Sequence, residues 1–201
     1  MSDTKYRVII SDPPWSYGGT PQYQPEGEDK FRAVRMRYPT MKTADICALD
    51  VASLCAADCV LLLWATAPLL RDAFRVIEAW GFAYVTKMPW IKLEGDPART
   101  LWGDWAYRPQ YGTGFWGRGC AEDVLICRRG DPKPPAAAAA SILLLSENFG
   151  HSRKPENLYE YAEHFPGPYL EMFARRPRDK WDLFGNQIES TVAIAATVGG
   201  N

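Results

Sequence analysis

The chain has 201 residues, the size of one ordinary domain, and 47% of them are apolar, so it can bury a core without disulfides or metals. Charged residues make up 23% and the formal net charge is −1, which excludes a disordered polyelectrolyte and a uniformly basic nucleic-acid coat protein. A nucleic-acid partner would have to be held by a local patch. Aromatic residues reach 13%, with eight tryptophans, which suits a protein that binds flat rings as well as one with an aromatic core.

The N-terminal residues and the cysteines argue against two further classes of protein, secreted or membrane-spanning proteins and metal-binding proteins. Residues 1–6 are polar rather than a signal peptide, and the longest apolar run, residues 59–65, is too short to cross a bilayer. We therefore expect no membrane association and a cytoplasmic location. The five cysteines have no CxxC spacing and only two histidines are present, which predicts buried free thiols and no metal site.

Strand and helix patterns alternate along the chain. A β-branched strand over residues 7–11 runs into a rigid turn, and an irregular segment rich in Gly, Pro and charge follows over residues 16–37. Apolar spacing and end signals predict three helices, at residues 43–56, 69–80 and 155–164. Further strands are predicted at residues 60–65, 82–91, 123–127, 169–173 and 181–184, with an irregular segment at 94–118 and an alanine-rich link at 132–140.

This alternation predicts an α/β fold with a mostly parallel sheet and helices on both faces. No shift in composition marks a second domain. We expect one domain over residues 1–190 and a flexible tail over residues 191–201, where the sequence consists mainly of small residues.

The most informative motif is Asp12-Pro13-Pro14-Trp15, directly after the first strand. The carboxyl end of a parallel strand is where ligands bind in open α/β sheets. Two prolines fix the backbone and leave carbonyl oxygens without competing amide donors. A carboxylate beside such a carbonyl offers two acceptors for an exocyclic amino group, and a tryptophan offers a face for its ring. Methylation of an aromatic amine needs this arrangement, because acceptors bind most tightly as positive charge develops on the nitrogen.

The chain resembles the adenine-N6 methyltransferases typified by the messenger-RNA m6A writer, which have bacterial and phage relatives. The resemblance covers most of the chain, and the bacterial and phage relatives are the closer comparison. It implies a Rossmann-like fold with permuted motif order and S-adenosylmethionine as cofactor. Besides the turn, the matching elements are Tyr38-Pro39-Thr40-Met41, the strand 62–66, the segment 112–116 with Glu122, the segment 151–155, Glu171 to Arg175, and Gly185-Asn186-Gln187.

The resemblance also implies roles for particular residues. Lys154 would pair with the methionine carboxylate of the cofactor, and Asp12 would accept from its amino group or from the target N6. The residues implied for the cofactor ribose and neighbouring atoms are Glu171, Arg175, Asn186 and Gln187. The family's Pro-His-Asn pattern after the arginine is replaced here by residues 176–179, so no role is carried over there.

The resulting hypothesis is transfer of a methyl group to adenine N6 in DNA, on a base extruded from the helix. Asp12 and the Pro13 carbonyl would hold N6, Pro14 would fix the turn, and Trp15 would stack on the base with Tyr38 nearby. The loops at 18–37 and 94–118 would clamp the substrate, the second with its tryptophans at 102, 105 and 116. The best local basic cluster for the backbone consists of Lys30, Arg32, Arg35 and Arg37.

Several alternatives stay open at this point. An RNA adenine or cytosine-N4 enzyme would use the same turn chemistry. A non-catalytic nucleic-acid-binding subunit of a heterodimer is a different class, although such subunits commonly lose the turn that is present here. A nucleotide-binding module of another kind would not bind S-adenosylhomocysteine. Because no separate target-recognition domain is visible in the sequence, we expect a homodimer or a partner subunit.

Overall fold

A computed structural model of the chain describes residues 4–17, 39–94, 108–112, 116–135, 144–147 and 154–196. The predicted basic cluster of Lys30, Arg32, Arg35 and Arg37 lies outside these residues, as do Tyr38 and the tryptophans at 102 and 105. The described residues contain no helix that is long and apolar enough to cross a membrane.

Eight strands and three α-helices make up the regular structure of these residues. The strands are β1 Tyr6–Ser11, β2 Cys55–Ala65, β3 Ala83–Glu94, β4 Arg108–Pro109, β5 Ala121–Arg129, β6 Leu144–Glu147, β7 Tyr169–Met172 and β8 Trp181–Phe184. The helices are α1 Thr43–Cys47, α2 Leu70–Ala79 and α3 Asn157–Ala162, with short 3₁₀ turns at Ala52–Leu54 and Ala67–Leu69.

All eight strands form one sheet in the order β4-β3-β5-β2-β1-β7-β8, with β6 paired to β3. β1 is parallel to β2 and β7, β7 is parallel to β8, and β6 is parallel to β3, whereas β5 is antiparallel to both β2 and β3. Six strands thus point one way, and β4 and β5 point the other way. The predicted α/β fold with a mostly parallel sheet is confirmed.

Alternating side chains of the central strands supply two separate cores, one on each face of the sheet. Ile9 of β1 and Leu61 of β2 pack with Ile77 of α2 and with α1 on one face. Val8 and Ile10 pack on the other face with α3 and with buried side chains of β8. Full burial of each aliphatic side chain contributes about 1.5–3 kcal/mol, so this two-sided pattern fixes the register of the buried strands. Helices therefore lie on both faces, as expected.

Three elements differ most from the sequence prediction: the first helix, β4 and β6. β4 lies within the segment 94–118, which was predicted to be irregular. The first helix ends at Cys47 instead of near residue 56, because the chain turns to bond the C-terminal segment: Leu49 forms a β-bridge with Ala196, and the Asp50 amide donates to the Ala195 carbonyl at 2.8 Å. β6 was not predicted at all. It is four residues long and lies in an apolar run next to the alanine-rich link, so it has no periodicity of its own.

The segment predicted as a flexible tail is bonded to the domain over its described part. The Thr191 hydroxyl accepts from the Leu183 amide at 2.8 Å, and the Thr191 amide donates to the Leu183 carbonyl at 2.8 Å. The Ser190 hydroxyl accepts from the Gly185 amide at 3.0 Å and donates to the Gly185 carbonyl at 2.9 Å. Val192 and Ile194 pack on the core. The outer edge of β8 is thereby capped by this segment.

The strand directions bring the carboxyl ends of four parallel strands together at one end of the sheet. β1, β2, β7 and β8 are parallel, so the residues that follow each of them lie together. β5 runs in the opposite direction, and because Asp123 pairs with Ala65, its first residues lie beside the last residues of β2. Three residues therefore lie together where these strands end: Asp12, which follows β1, Gly185, which follows β8, and Glu122, the second residue of β5.

Gly185 holds the turn after β8 close to β7, and a side chain there has no room. A Cβ at Gly185 would lie 2.1 Å from the Ala174 carbonyl oxygen, whereas a Cβ at Gly119 would meet nothing within 4 Å. We expect Gly185→Ala to lower the free energy of unfolding by about 1–3 kcal/mol, the usual effect of overpacking, and Gly119→Ala to change it by less than about 0.5 kcal/mol. Urea unfolding of both variants measures this, and equal stabilities would contradict the packing described here.

Candidate active site

The Asp12-Pro13-Pro14-Trp15 turn is held by backbone hydrogen bonds to Met41. The Met41 amide donates to the Pro14 carbonyl at 2.8 Å, and the Ser16 amide donates to the Met41 carbonyl at 3.1 Å. Within the turn, the Trp15 amide donates to the Pro13 carbonyl at 2.8 Å. Since a carbonyl oxygen has two lone pairs, Pro13 keeps one for a ligand.

Trp15 differs from its predicted role. It is only 5% exposed and belongs to the core on the α1–α2 face, and its indole N–H donates to the Trp64 carbonyl at 3.2 Å. A buried indole needs an acceptor, and the end of β2 supplies it. The ring therefore does not offer a face for stacking on a base. Trp15 anchors the turn against β2.

Four charged side chains form a continuous series across the site. Lys154 Nζ lies 2.6 Å from Glu122 Oε2 and 3.3 Å from Asp12 Oδ1. Glu122 Oε1 in turn accepts from Lys92 Nζ. The Lys154 side chain is only 14% exposed and that of Glu122 16%. Since an ammonium has three donors, the two carboxylates leave one donor of Lys154 for another acceptor.

The pKa values of the central pair follow from this series. Burial alone would raise the pKa of Glu122, but the ammonium groups of Lys154 and Lys92 outweigh it and lower the pKa to about 2. Burial would likewise lower the pKa of Lys154, but the carboxylates of Asp12 and Glu122 raise it above its ordinary value. Both groups are therefore charged at neutral pH, and Lys154 cannot act as a base there.

Trp64 belongs to the core and also contacts the charged series. It is 1% exposed, and the Lys154 ammonium lies 4.3 Å from the centre of its ring. Trp90 packs edge-on against Trp64 with centroids 5.6 Å apart and is itself buried, as is Trp80. A cation over an indole face is stabilised by the ring quadrupole. The aromatic wall therefore stabilises Lys154 where water has little access.

A cavity of about 560 Å³, called here the Asp12 cavity, opens at the ends of β1 and β7. Four residues predicted to bind the cofactor line it together: Asp12, Lys154, Glu171 and Arg175. Burial raises the pKa of Glu171 although the Tyr159 hydroxyl, which donates to Glu171 Oε1 at 2.9 Å, lowers it. The structure thus brings most of the predicted cofactor set into one cavity.

Asn186 and Gln187 line a separate cavity of about 250 Å³, called here the Gln187 cavity. Its other walls include Pro14 and Phe173. Phe173 follows β7 with φ of 62°, a left-handed conformation that costs a non-glycine residue about 1–3 kcal/mol, and its side chain borders both cavities. Arg175 also borders both, so the two cavities are neighbours on either side of these residues.

A third cavity, of about 850 Å³, lies on the other side of the charged series and is called here the Glu122 cavity. It is lined by Glu122 and Lys92, by Tyr17 and Thr66, whose hydroxyls are 3.0 Å apart, and by residues 110–112 and 116–121. The Lys154–Glu122 ion pair forms the boundary, since Lys154 lines the Asp12 cavity and Glu122 lines this one. In the described part of the chain, no three His, Cys, Asp or Glu side chains are grouped as metal ligands would be.

Comparison with known proteins decides the family. The family model MT-A70 matches residues 6–187, nearly the whole chain. The chain belongs to the MT-A70 family. This confirms the resemblance to the adenine-N6 methyltransferases and makes the chain an enzyme of that class. The motif order also agrees, since the Asp-Pro-Pro-Trp turn precedes the Glu171 strand.

Individual relatives include bacterial and animal proteins. The Type II methyltransferase M.MunI of Mycoplasma sp is 32% identical over 209 residues, which cover 97% of this chain and 83% of that protein. The N(6)-adenine-specific methyltransferase METTL4 of Mus musculus is 24% identical, over 91% of this chain and 37% of the relative. The N(6)-adenosine-methyltransferase catalytic subunit METTL3 of Homo sapiens is 23% identical, over 92% and 28%. The chain thus spans most of the first relative but only about a third of the other two.

Several residues of this MT-A70 site have no role predicted from the sequence, among them Glu122, Tyr159 and Arg178. Glu122 lies in a segment that matches the family, but its position as the nearest partner of Lys154 was not predicted. Tyr159 holds Glu171, and Arg178 lies 3.4 Å over the Tyr159 ring and bonds Glu156 at 2.7 Å. The direction of β5 would have identified Glu122, since an acidic residue that opens an antiparallel strand lies at the same edge as the ends of its parallel neighbours. Nothing in the sequence indicated the stacking of Arg178.

The ion pairs of Glu122 predict how stability depends on pH. Its pKa falls from an ordinary 4.5 to about 2 on folding, so its stabilisation is present above about 4.5 and is lost as the pH falls towards 2. As the pH falls through that window, we expect the free energy of unfolding to fall by roughly 3 kcal/mol more in the unsubstituted chain than in Glu122→Gln. Urea unfolding at several pH values measures the difference, with the exposed Glu78→Gln as control. A variant with the same pH dependence as the unsubstituted chain would contradict these ion pairs.

Proposed function

We propose that this chain transfers a methyl group from S-adenosylmethionine to the N6 amino group of adenine in DNA. The observation that carries the proposal is the position of Asp12: it follows the central strand, contacts Lys154 on one side, and borders a cavity large enough for a cofactor. A second, larger cavity lies beyond the ion pair and can receive a base. Donor and acceptor would then meet next to Asp12, at the boundary that the Lys154–Glu122 ion pair forms.

The chemistry of the side chains fits S-adenosylmethionine. Its carboxylate would take the remaining donor of Lys154, and its amino group would donate to Asp12. Glu171 would accept from the ribose hydroxyls through Oε2, since Tyr159 occupies Oε1. The Gln187 cavity adds two amides and an apolar wall next to Arg175, which suits the rest of the nucleoside. We therefore propose that the cofactor extends from the Asp12 cavity towards the Gln187 cavity.

The residues of the turn would act on the acceptor nitrogen. When bound, the cofactor would supply a methyl group on a positively charged sulfur, and the N6 lone pair would form the new bond as the bond to sulfur breaks. Asp12 Oδ1 faces Lys154, and no hydrogen bond from the described residues reaches Oδ2, which we assign to an N6 hydrogen. The Pro13 carbonyl would accept the other. Asp12 would then take the proton that the methylated, positively charged nitrogen releases, because Lys154 already holds its own.

DNA is proposed as the acceptor because the relative matched over most of both chains is a Type II methyltransferase. The target adenine must leave the stack for N6 to reach Asp12. Phosphate contacts by Lys30, Arg32, Arg35 and Arg37 remain a prediction, as does the position of Tyr38 beside the base. A homodimer or a partner subunit likewise remains a prediction.

A methyl-transfer assay tests the proposal. The chain would be incubated with labelled S-adenosylmethionine and with DNA and RNA oligonucleotides of matched sequence, and the modified base identified. We expect label on N6 of DNA adenine, and a fall of at least about 100-fold in rate for Asp12→Ala, because the acceptors act mainly in the transition state. The exposed Asp45→Ala is the control. Label in RNA alone would contradict the DNA assignment, and full activity of Asp12→Ala would contradict the role of the turn.

The proposed role of Glu171 makes cofactor affinity pH-dependent. The pKa of Glu171 is raised by burial, and only the ionised carboxylate accepts from two ribose hydroxyls, so affinity should fall as the pH drops through that raised pKa. We expect Glu171→Gln to bind S-adenosylhomocysteine about 10-fold more weakly at pH 8 and to lose this pH dependence. Calorimetry from pH 5 to pH 8 measures both, with the exposed Glu160→Gln as control. Equal affinities at pH 8 would remove Glu171 from the site.

A further inference from the structure

Residues 110–112 and 116–120 lie at the mouth of the Glu122 cavity, and several hydrogen bonds hold them together. The Lys92 amide donates to the Cys120 carbonyl, the Gln110 amide to the Lys92 carbonyl, and the Gly112 amide to the Gly119 carbonyl, each at 2.8 Å. Arg118 adds bonds from Nε to the Gly112 carbonyl at 3.0 Å and from Nη2 to the Tyr111 carbonyl at 3.3 Å. Residues 110–112 are thereby fixed against residues 118–120.

Two large aromatic side chains in these segments are exposed. Trp116 is 87% exposed, the most of any large hydrophobic residue in the described part of the chain, and Tyr111 is 53% exposed. The other tryptophans with a described environment, Trp15, Trp64, Trp80, Trp90 and Trp181, are 5% exposed or less. Both exposed rings line the Glu122 cavity together with Arg118. Exposed aromatics on the rim of a cavity are typical of a binding surface.

The chemistry of this rim suits nucleobases rather than an apolar protein partner. Every base has a flat face that stacks on an aromatic ring without regard to sequence. Arg118 is exposed and makes no ion pair with a carboxylate among the described residues, so its charge is available to a phosphate. An extruded base also leaves its neighbours partly unstacked, and these neighbours lie within one nucleotide of the cavity that would receive it.

We propose that Tyr111 and Trp116 form a stacking platform for the nucleotides that flank the target adenine, and that the chain therefore prefers an unpaired strand to a matched duplex. This inference rests on the proposed function, because it takes the Glu122 cavity as the acceptor site. The platform supplies affinity without sequence readout. It also explains how a chain with a net charge of −1 can hold nucleic acid: stacking replaces much of the electrostatic attraction that a basic surface would provide.

Binding of a single-stranded 12-nucleotide DNA with one adenine in a thymine background tests the platform. We expect Trp116→Ala to weaken this complex about 5- to 100-fold, the usual effect of losing one stacking ring, Trp116→Phe to weaken it less, and the matched duplex to bind the unsubstituted chain more weakly than the single strand. Fluorescence anisotropy of a labelled strand measures the affinities. Tyr84→Ala is the matched control, since Tyr84 is 43% exposed but lies near the opposite end of β3 from Lys92.

Two further measurements separate the possible failures. S-adenosylhomocysteine should bind Trp116→Ala as tightly as the unsubstituted chain, and the loss of methylation on deoxyadenosine monophosphate, which has no flanking bases, should be smaller than the loss on the 12-nucleotide strand. If the unsubstituted chain does not bind S-adenosylhomocysteine, the proposed function itself is wrong. If it does, but Trp116→Ala binds the 12-nucleotide strand normally or loses equal activity on the mononucleotide, the flanking platform is wrong.

Discussion

The ion pairs of Lys154 with Glu122 and Asp12 are the interaction on which the rest of the site depends. An ammonium with this little solvent access is stable only because two carboxylates and an indole face surround it. The same contacts orient Asp12, separate the two large cavities, and connect β1, β5 and the segment before α3. A substitution at any of these charges would therefore affect stability and the shape of the Asp12 cavity together.

The antiparallel direction of β5 is what makes this interaction possible. In a sheet of parallel strands alone, residues 121 and 122 would lie at the opposite edge from the turn after β1. Because β5 is inserted between β2 and β3 and reversed, its first residues lie beside the last residues of β2. The single departure from a uniform parallel arrangement in the middle of the sheet thus supplies the second carboxylate.

The sequence predicted the features that depend on local pattern and on the Asp-Pro-Pro-Trp motif. The α/β class, the strand before Asp12 and the shared cavity of Asp12, Lys154, Glu171 and Arg175 follow from hydrophobic periodicity and from the family resemblance. Contacts between distant segments were not visible. The length of α1 depends on residues 195 and 196, the burial of Trp15 depends on a carbonyl of β2, and the role of Glu122 depends on strand direction. Each of these is decided by a partner thirty or more residues away, which no local pattern encodes.

The cap on β8 constrains how this chain can assemble. An edge strand normally presents unpaired amides and carbonyls to which another molecule can add a strand. Here one threonine occupies both backbone groups of Leu183 and one serine occupies both of Gly185, so this edge is closed to strand addition. A second copy or a partner subunit would have to dock at a surface other than this edge, and the sheet would end at β8 in any such complex.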